Sequence, residues 1–300
     1  MKYKEKIIDG KAIAGKIREE IKEKISKFVG LYGIKPGLAI ILAGDNPASR
    51  IYVDRKKKAC KEADIESFEY LFPGDCKEEE LLQTIEKLNK DVNVHSILVQ
   101  LPLPDHISEE NIIEALHPGK DVDCLHPYNT GKIFYDKDHF FPCTPHGIYR
   151  MLGDSDIEIE RKHVVILGRS KIVGKPMADI FLRKDTGATV TVCHSKTVNL
   201  SHYTLQADIL IAALGKPEFV KADMIKKGAV VIDVGINRIP HKSKKSGTGI
   251  VGDVAFEEVA EKASYITPVP GGVGPMTIAM LLHNTLKSAE KTVRSVKGLS

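Results

Sequence analysis

A tyrosine and a lysine one helical turn apart are the first residues in this sequence whose types and spacing could do chemistry. They are Tyr52 and Lys56, in a segment where a basic run extends from Arg55 to Lys58. Such a run is usually a solvated face. At about 100° per residue, however, the pair falls on a small, mostly apolar face together with Ala59, Cys60 and Ala63. We therefore expect Lys56, of this run, to face inward beside Tyr52, where a lysine can take part in proton transfer.

Two further polar residues call for partners. Gln100 interrupts the apolar run from Ile97 to Leu101, directly before Pro102-Leu103-Pro104. A buried amide needs hydrogen bonds, and a lysine is a suitable donor. Asp123 follows a turn, where a carboxylate can bind the N–H and amino edge of a heterocycle or can simply cap the turn. The acids Asp121 and Asp123 stand near His117 and His126, but this spacing matches no strong metal motif, so we expect no metal.

A glycine-bearing turn in the second half is typical of a nucleotide site. The apolar run His163–Leu167 leads into Gly168, Arg169 and Ser170, and then into Val173, Gly174, Lys175 and Pro176. This order predicts a strand, a tight turn and a helix with proline in its first turn. The glycines stand six apart, so the dinucleotide fingerprint is imperfect, although helix amides can still receive anionic oxygens. A tight turn without a ligand is the alternative.

The end of the next predicted strand favours NADP over NAD. In NAD-binding folds an acid at this point binds the ribose hydroxyls. Here Val190–Cys193 is followed by His194-Ser195-Lys196-Thr197, without a carboxylate. Ser195 and Arg169 could therefore accept a 2′-phosphate. Gly215 and Ile236 follow two further strand ends at which a ligand could lie, although ordinary turns would look the same.

The last distinctive segment is a rigid loop from Thr267 to Thr277. Its side-chain-poor centre, Pro270-Gly271-Gly272, could lie against a planar ring, or could only stiffen the entry into the final helix.

These segments are embedded in alternating strands and helices. The predicted strands are Gly37–Ala43, Ser96–Leu101, His163–Leu167, Thr189–Cys193, Ile209–Ala213 and Val230–Val234. The predicted helices are Arg50–Ala63, Glu78–Asn89, His146–Leu152, Lys175–Lys184 and Met276–Val293. Such alternation predicts βαβ units with mostly parallel sheets, and a Rossmann-like second half.

We therefore predict an α/β protein of two domains. The N-terminal α/β catalytic domain would comprise residues 1–145 plus 272–300, because we expect the final helix to cross back onto it. The Rossmann-like domain would comprise residues 146–271. Lys242–Gly247 is predicted to form a polar loop.

The bulk composition excludes several classes of protein. The chain has 300 residues and a net charge of +4, with 42% hydrophobic and 28% charged residues. It has no concentrated basic face of the kind that binds nucleic acid, and no apolar run of the roughly 18 residues that span a membrane. Five scattered cysteines, without a C-x-x-C pair, indicate reduced thiols and a cytoplasmic protein.

Taken together, the motifs resemble the bifunctional methylenetetrahydrofolate dehydrogenase/cyclohydrolase family over nearly the whole chain. The matching segments are Ile8–Lys11, Asn46–Ser49, Tyr52-x-x-x-Lys56, Val99–Pro104, Lys120–Asp123, Gly168–Ser170, Val173–Pro176 and Thr267–Thr277. Long motifs in the same order make this resemblance specific.

The resemblance implies that NADP oxidises methylenetetrahydrofolate to the methenyl form, and that hydrolysis then gives 10-formyltetrahydrofolate. Lys56 would transfer the proton in the hydrolytic step, Tyr52 would orient the folate, Gln100 would hold Lys56, and Asp123 would bind the pterin. Substrate would also contact Pro270, Gly271 and Gly272. NADP would contact Gly168, Arg169, Ser170, Val173, Gly174, Pro176, Ser195, Gly215, Ile236 and Thr277.

The resemblance also implies a homodimer. Cys124 stands where the family usually has glycine, a departure that bears on the backbone beside Asp123. Monofunctional dehydrogenase relatives can lack the lysine, so the presence of Lys56 favours a retained cyclohydrolase step. The alternatives are a monofunctional dehydrogenase, perhaps linked to NAD, and a non-catalytic nucleotide sensor, which would not need Lys56.

Overall fold

A computed structural model of the chain describes residues 3–137, 140–240 and 247–296. The helices are α1 (Gly10–Tyr32), α2 (Pro47–Glu62), α3 (Glu78–Lys90), α4 (Glu109–Glu114), α5 (Pro127–Phe134), α6 (Cys143–Gly153), α7 (Gly174–Leu182), α8 (Leu200–Thr204), α9 (Phe256–Lys262) and α10 (Val273–Val296). The strands are β1 (Gly37–Ala43), β2 (Glu66–Phe72), β3 (Ser96–Val99), β4 (His163–Leu167), β5 (Thr189–Cys193), β6 (Ile209–Ala212), β7 (Val230–Asp233), β8 (Asn237–Pro240), β9 (Thr248–Val251) and β10 (Tyr265–Ile266). Of the predicted polar loop at Lys242–Gly247, residues 242–246 lie outside the described residues.

The predicted strands and helices are present, with small shifts at their ends. β3 ends at Val99, so Gln100 and Leu101 lie beyond the strand and not in it. β6 and β7 each end one residue earlier than predicted, and α7 begins at Gly174 and ends at Leu182. The sequence interpretation did not include α1, β2 or the β8–β9 hairpin.

The first sheet has three parallel strands in the order β2-β1-β3. β1 is apolar throughout and completely buried, as expected of a central parallel strand covered on both faces. β2 carries acids among its aromatic residues and forms a partly exposed edge. A core of aliphatic side chains from β1, β3, α3 and α4 packs beside this sheet.

The second sheet has five parallel strands in the order β10-β7-β6-β4-β5. β4 comes first in sequence and lies between β5 and β6, so the chain winds outward from β4 in both directions. This is a doubly wound sheet, as predicted. In such sheets ligands bind beyond the carboxyl ends of the strands where the winding direction changes, which here is at β4.

The described residues divide into two compact units, each containing one sheet. One unit comprises residues 15–132, 140–143 and 278–296; the other comprises residues 3–14, 133–137, 144–240 and 247–277. In the first unit, α10 packs on the three-stranded sheet, where Thr285 Oγ1 lies 3.4 Å from Ser96 Oγ and Ser288 Oγ donates to Gly119 O at 2.7 Å. The prediction that the final helix returns to the first half is therefore confirmed. No helix among the described residues is long and apolar enough to cross a membrane.

Candidate active site

α2 begins at a well-formed cap, which fixes the rotation of the helix. Asn46 precedes the helix, and its Oδ1 accepts hydrogen bonds from the amides of Ala48 and Ser49 at 2.9 and 3.4 Å. Pro47 occupies the first turn, where no amide hydrogen is needed.

Ion pairs on the outer face of α2 hold the same orientation. Glu69 of β2 accepts from Lys57 Nζ at 2.6 Å and from Arg50 Nη1 at 3.4 Å. Lys58 is exposed and lies near Glu62. These contacts turn the neighbouring cations away from the interior.

Lys56 is thereby left facing inward, as its helical phase predicts. Its side chain is buried, with 8% of the residue exposed, on the same face as buried Ala59 and Cys60. Lys56 Nζ donates to Gln100 Oε1 at 3.1 Å, and Gln100 Nε2 donates to Leu101 O at 2.7 Å. The amide therefore has a fixed orientation, with its oxygen toward the lysine. Tyr52 is half-buried on the face of Lys56.

Asp123 lies close to this pair through a cysteine that the sequence interpretation did not select. Cys143 Sγ donates to Val122 O at 3.4 Å, next to Asp123, and the charges of both Asp123 and Lys56 act on its thiol. Burial raises the pKa of Cys143 well above its ordinary value; Asp123 raises it further, whereas Lys56 lowers it. Asp123 and Lys56, which is hydrogen-bonded to Gln100, thus both act on one buried thiol, and Tyr52 lies on the same helix as Lys56.

The backbone after Asp123 adopts the conformation that glycine favours. Cys124 has a φ of +58°, in the left-handed region, which costs a side-chain-bearing residue roughly 1–2 kcal/mol. Its thiol is buried and donates to Phe140 O at 3.2 Å. Cysteine therefore occupies a backbone conformation that glycine would suit.

A buried amide from α10 joins the two segments that meet at Asp123. Asn284 Nδ2 donates to Val122 O at 2.7 Å and to Phe141 O at 2.9 Å, and it lies 3.7 Å from Cys143 Sγ. The Asp123 turn is thereby fixed to the segment that carries Cys143.

Asp121, His117 and His126 form hydrogen bonds with groups close to them in sequence. Asp121 is buried, and its Oδ2 accepts from the His126 amide and from Asn129 Nδ2, each at 2.8 Å. Burial raises the pKa of Asp121, while these hydrogen bonds lower it. His117 Nδ1 and His126 Nδ1 each accept a nearby backbone amide. Within residues 3–137, 140–240 and 247–296, no group of three or more histidine, cysteine or acidic residues could hold a metal ion.

The glycine loop after β4 closes tightly enough to exclude side chains. Gly168 has a φ of +122°, and a Cβ there would meet Ala213 O at 2.2 Å. A Cβ at Gly174, the first residue of α7, would meet Gly168 O at 2.2 Å. Ser170 Oγ accepts from the amides of Val173 and Gly174, and buried Pro176 lies in the first turn. The loop brings its backbone close to the beginning of α7, beyond β4, where the winding direction of the chain changes.

Two exposed side chains follow adjacent strands at the same end of the five-stranded sheet. Leu167 of β4 pairs with Cys193 of β5, and Arg169 and Ser195 each stand two residues further along. Both residues are exposed at the same end of the sheet. No carboxylate occurs between His194 and Thr197.

Two further predicted cofactor residues lie at the same sheet edge. Gly215 follows β6, has a φ of +66° and is exposed. Ile236 follows β7 and is also exposed, about 4 Å from where a Cβ on Gly274 would stand.

The proline- and glycine-rich loop belongs to the unit of the five-stranded sheet. Gly271 has a φ of +112°, and its carbonyl accepts from the Lys11 amide at 2.9 Å. A Cβ on Gly272 would meet Pro268 O at 2.6 Å. Pro270 is exposed, and Thr277 Oγ1 lies 3.0 Å from Thr144 Oγ1. The predicted substrate residues are therefore divided between the units, with Pro270, Gly271 and Gly272 in one and Lys56, Gln100, Tyr52 and Asp123 in the other.

Comparison with known proteins identifies both parts of the chain. Residues 8–123 match the family model described as the tetrahydrofolate dehydrogenase/cyclohydrolase catalytic domain, and residues 142–293 match the NAD(P)-binding domain of the same family. The chain belongs to the tetrahydrofolate dehydrogenase/cyclohydrolase family. "Bifunctional protein FolD" from Geotalea daltonii is 54% identical over 286 residues, which cover 95% of this chain and 99% of the relative.

Solved structures of relatives support the same family assignment. The bifunctional FolD enzyme of Campylobacter jejuni is 53% identical, with a TM-score of 0.90 over 95% of this chain and 98% of the other. The Trypanosoma brucei methylenetetrahydrofolate dehydrogenase-cyclohydrolase, solved with NADP and an inhibitor, is 40% identical, with a TM-score of 0.91 over 96% and 98%.

In this family member, some residues that build the site lie outside the motifs that signal it. Cys143 and Asn284 support the Asp123 turn, but Asn284 is 162 residues from the carbonyl it binds. Buried Asp253 binds the loop that contains Gly215 from 38 residues away. The sequence could have singled out Asn284 as a polar residue on the apolar face of α10. It could not have shown that this amide binds the carbonyls of Val122 and Phe141.

Proposed function

We propose that this protein oxidises 5,10-methylenetetrahydrofolate with NADP and hydrolyses the methenyl product to 10-formyltetrahydrofolate. The observation that carries the second activity is the 3.1 Å hydrogen bond from the buried Lys56 Nζ to Oε1 of the half-buried Gln100. Membership of the family and the NAD(P)-binding domain support the first activity. The protein is thus an oxidoreductase and a hydrolase of one-carbon folate metabolism.

The residues at the carboxyl edge of the five-stranded sheet fit a dinucleotide phosphate. The Gly168–Gly174 turn provides a close backbone approach at a helix start, where amides and the helix dipole favour anionic oxygens. Arg169 and Ser195 would hold the 2′-phosphate, which favours NADP because no acid opposes it. When bound, the nicotinamide supplies the hydride acceptor.

For the oxidation step, the chain mainly has to position the substrate. Asp123 would accept the N–H and amino donors of the pterin, held in place by the Cys143 and Asn284 contacts around its turn. Tyr52 would orient the ring, and Pro270 with its glycines would present a flat backbone surface. Correct alignment of two reacting groups can itself supply a large part of the rate enhancement.

For the hydrolytic step, Lys56 would exchange the proton of the attacking water. Gln100 Oε1 would hold the lysine head, since the Nε2 bond to Leu101 O keeps the amide from turning. Together these two hydrogen bonds fix the lysine head against Gln100. General acid–base groups of this kind contribute about 10²–10⁴-fold.

One assay tests both activities together. Purified protein with methylenetetrahydrofolate and NADP should form NADPH and, transiently, the methenyl species, which is then consumed to give 10-formyltetrahydrofolate. Parallel reactions with NAD would establish the cofactor preference. Persistent accumulation of the methenyl product would favour a monofunctional dehydrogenase, and the lack of any turnover would favour a nucleotide sensor.

We further propose that the protein is a homodimer formed through β5. β5 is one of the two edge strands of the five-stranded sheet, and such edges readily pair with another chain. Val192 is 37% exposed on this strand, and exposed Leu182 and Leu205 end or follow the helices that pack beside it. The strand contains no charged residue or proline that would discourage pairing.

The matched test is the substitution Val192→Lys compared with Leu71→Lys. Leu71 is 50% exposed on β2, an edge strand of the other sheet. We expect light scattering to give a dimer mass for the wild type and for Leu71→Lys, and a mass shifted toward the monomer for Val192→Lys. A monomeric wild type, or dissociation by Leu71→Lys alone, would contradict the assignment.

Two other expectations stay proposals. They are the division into a folate-binding domain of residues 1–145 plus 272–300 and a cofactor-binding domain of residues 146–271, and a cytoplasmic location, which rests on the cysteine pattern.

A further inference from the structure

Two buried aspartates interlock the loops at the carboxyl edge of the five-stranded sheet. Asp253 is 0% exposed and Asp233 is 3% exposed. Asp233 ends β7, and Asp253 follows β9. The Asp253 amide donates to Asp233 Oδ1 at 2.8 Å, so the two residues are joined directly.

The Asp253 carboxylate is occupied by the loop that follows β6. Its Oδ2 accepts from the amides of Leu214 and Gly215 at 2.5 and 2.9 Å, and its Oδ1 accepts from the Lys216 amide at 2.9 Å and from Asn237 Nδ2 at 2.8 Å. Three successive amides of one loop thus point at a single carboxylate. Four donors also neutralise much of its charge, which would otherwise repel an anionic ligand nearby.

The same loop touches the glycine loop after β4. β6 lies next to β4 in the sheet, and Ala213 O occupies the space where Gly168 would carry a Cβ. Because the Leu214, Gly215 and Lys216 amides are turned toward Asp253, the loop offers the cofactor a fixed backbone surface, not a set of anion-binding amides. Moving this loop would therefore move one wall of the glycine turn.

The Asp233 carboxylate completes the arrangement from the other side. Its Oδ1 accepts from the Gly235 amide at 2.9 Å, and its Oδ2 accepts from the Val254 amide at 3.0 Å. The glycines are required for this approach, since a Cβ on Gly235 would stand 2.3 Å from Asp253 Oδ1 and a Cβ on Gly252 would stand 1.7 Å from Asp233 Oδ2.

We infer that Asp253 is a positioning residue for cofactor binding, which acts by fixing the Leu214–Lys216 loop against the glycine turn. The inference rests on the proposed function, since it concerns the NADP site of that reaction. Asp253 is not expected to touch either the cofactor or the folate.

The decisive variant is Asp253→Asn. An amide group presents one acceptor and one donor, so at least two of the four bonds at this carboxylate are lost. We expect the KM for NADP to rise about 10-fold or more, because charge-assisted hydrogen bonds are lost. The KM for methylenetetrahydrofolate and the kcat for hydrolysis of the methenyl substrate should stay within about twofold of the wild-type values. A general loss of folded protein would instead lower both kcat values and leave the KM for NADP unchanged.

Asp208→Asn is the matched control. Asp208 also accepts a backbone amide in this unit, from His163 at 2.9 Å, but at the amino end of the same sheet. The Asp208→Asn substitution should lower the melting temperature without changing the KM for NADP. If Asp253→Asn does not fold, Asn237→Ala removes only one of the four donors and should raise the KM for NADP about threefold.

The inference fails if folded Asp253→Asn keeps the wild-type KM for NADP, or if Asp208→Asn raises that KM equally. It also fails if Asn237→Ala leaves the KM unchanged when the stronger variant cannot be folded. A wild-type protein that does not reduce NADP with methylenetetrahydrofolate would instead refute the proposed function.

Discussion

Replacing Lys56 by methionine should separate the two activities. Methionine is of similar length and also apolar, so it fills the buried space that Lys56 occupies with 8% exposure. The substitution removes the 3.1 Å bond to Gln100 Oε1 and the proton that Lys56 would exchange. We expect cyclohydrolase kcat to fall about 10²–10⁴-fold, the range for a lost general acid–base group, while dehydrogenase kcat is largely retained because that step depends mainly on positioning.

Lys56→Met should change the free energy of unfolding only a little. A hydrogen bond with a charged donor contributes about 1.5–3 kcal/mol, and leaving Gln100 Oε1 without its donor adds to the loss. Against this, burying methionine avoids the desolvation of an ammonium group, which is itself worth several kcal/mol. We therefore expect a net change in the free energy of unfolding below about 2 kcal/mol, so the variant remains folded at assay temperature.

The assay should start the hydrolytic step directly from methenyltetrahydrofolate, so that its rate is measured without the dehydrogenase. Lys56→Arg is a second test, since arginine keeps the charge and can reach Gln100 but does not release its proton; it too should lose hydrolysis. Lys58→Met, on the exposed face of the same helix, is the control and should leave both activities unchanged. Equal loss of both activities in folded Lys56→Met, or hydrolysis retained in Lys56→Arg, would refute the role.

Two other substitutions test the cofactor end of the molecule. Arg169→Ala should raise the KM for NADP about 10- to 100-fold, from the loss of a charge-assisted contact, with a much smaller effect on the KM for folate; constants that rise together would contradict the phosphate role. Burial raises the pKa of Asp233 to about 7, although three hydrogen bonds from backbone amides lower it. Protonated Asp233 therefore contributes to the free energy of unfolding fully below about pH 4, and this contribution is lost as the pH rises through 7. At 1.36 kcal/mol per pKa unit, the loss is at most about 4 kcal/mol, and Asp233→Asn should remove this part of the pH dependence of unfolding; parallel wild-type and mutant curves from pH 4 to 8 would contradict it.

The sequence predicted those elements whose pattern is local and strongly apolar. β1, β4 and β5 have the predicted bounds because each is a short run of buried or β-branched residues between turn signals. β2 escaped prediction because Glu66 and Glu69 interrupt its aromatic residues, as suits an edge strand with one exposed side. The long α1 was not predicted either, because it carries charged residues at nearly every turn and its apolar stripe is narrow.

For the site, local geometry was predictable and remote support was not. The phase of Lys56 follows from helical periodicity alone, and Gln100 follows from one polar residue at the end of an apolar run. Cys143, Asn284 and Asp253 act through partners that are distant in sequence, and no spacing rule connects them. The return of α10 could be anticipated, but not that Asn284 would hold the turn beside Asp123.

The interlocked glycines and aspartates also constrain how this sequence can change over time. Any side chain at Gly252 collides with the Asp233 carboxylate, and any at Gly235 collides with Asp253. Removing an aspartate first leaves buried amides without an acceptor, whereas enlarging a glycine first displaces a carboxylate that cannot move into water. Each order passes through a destabilised intermediate, so the four positions can be expected to persist or to be exchanged as a set. Descendants of this chain would then carry the two pairs as a single inherited character.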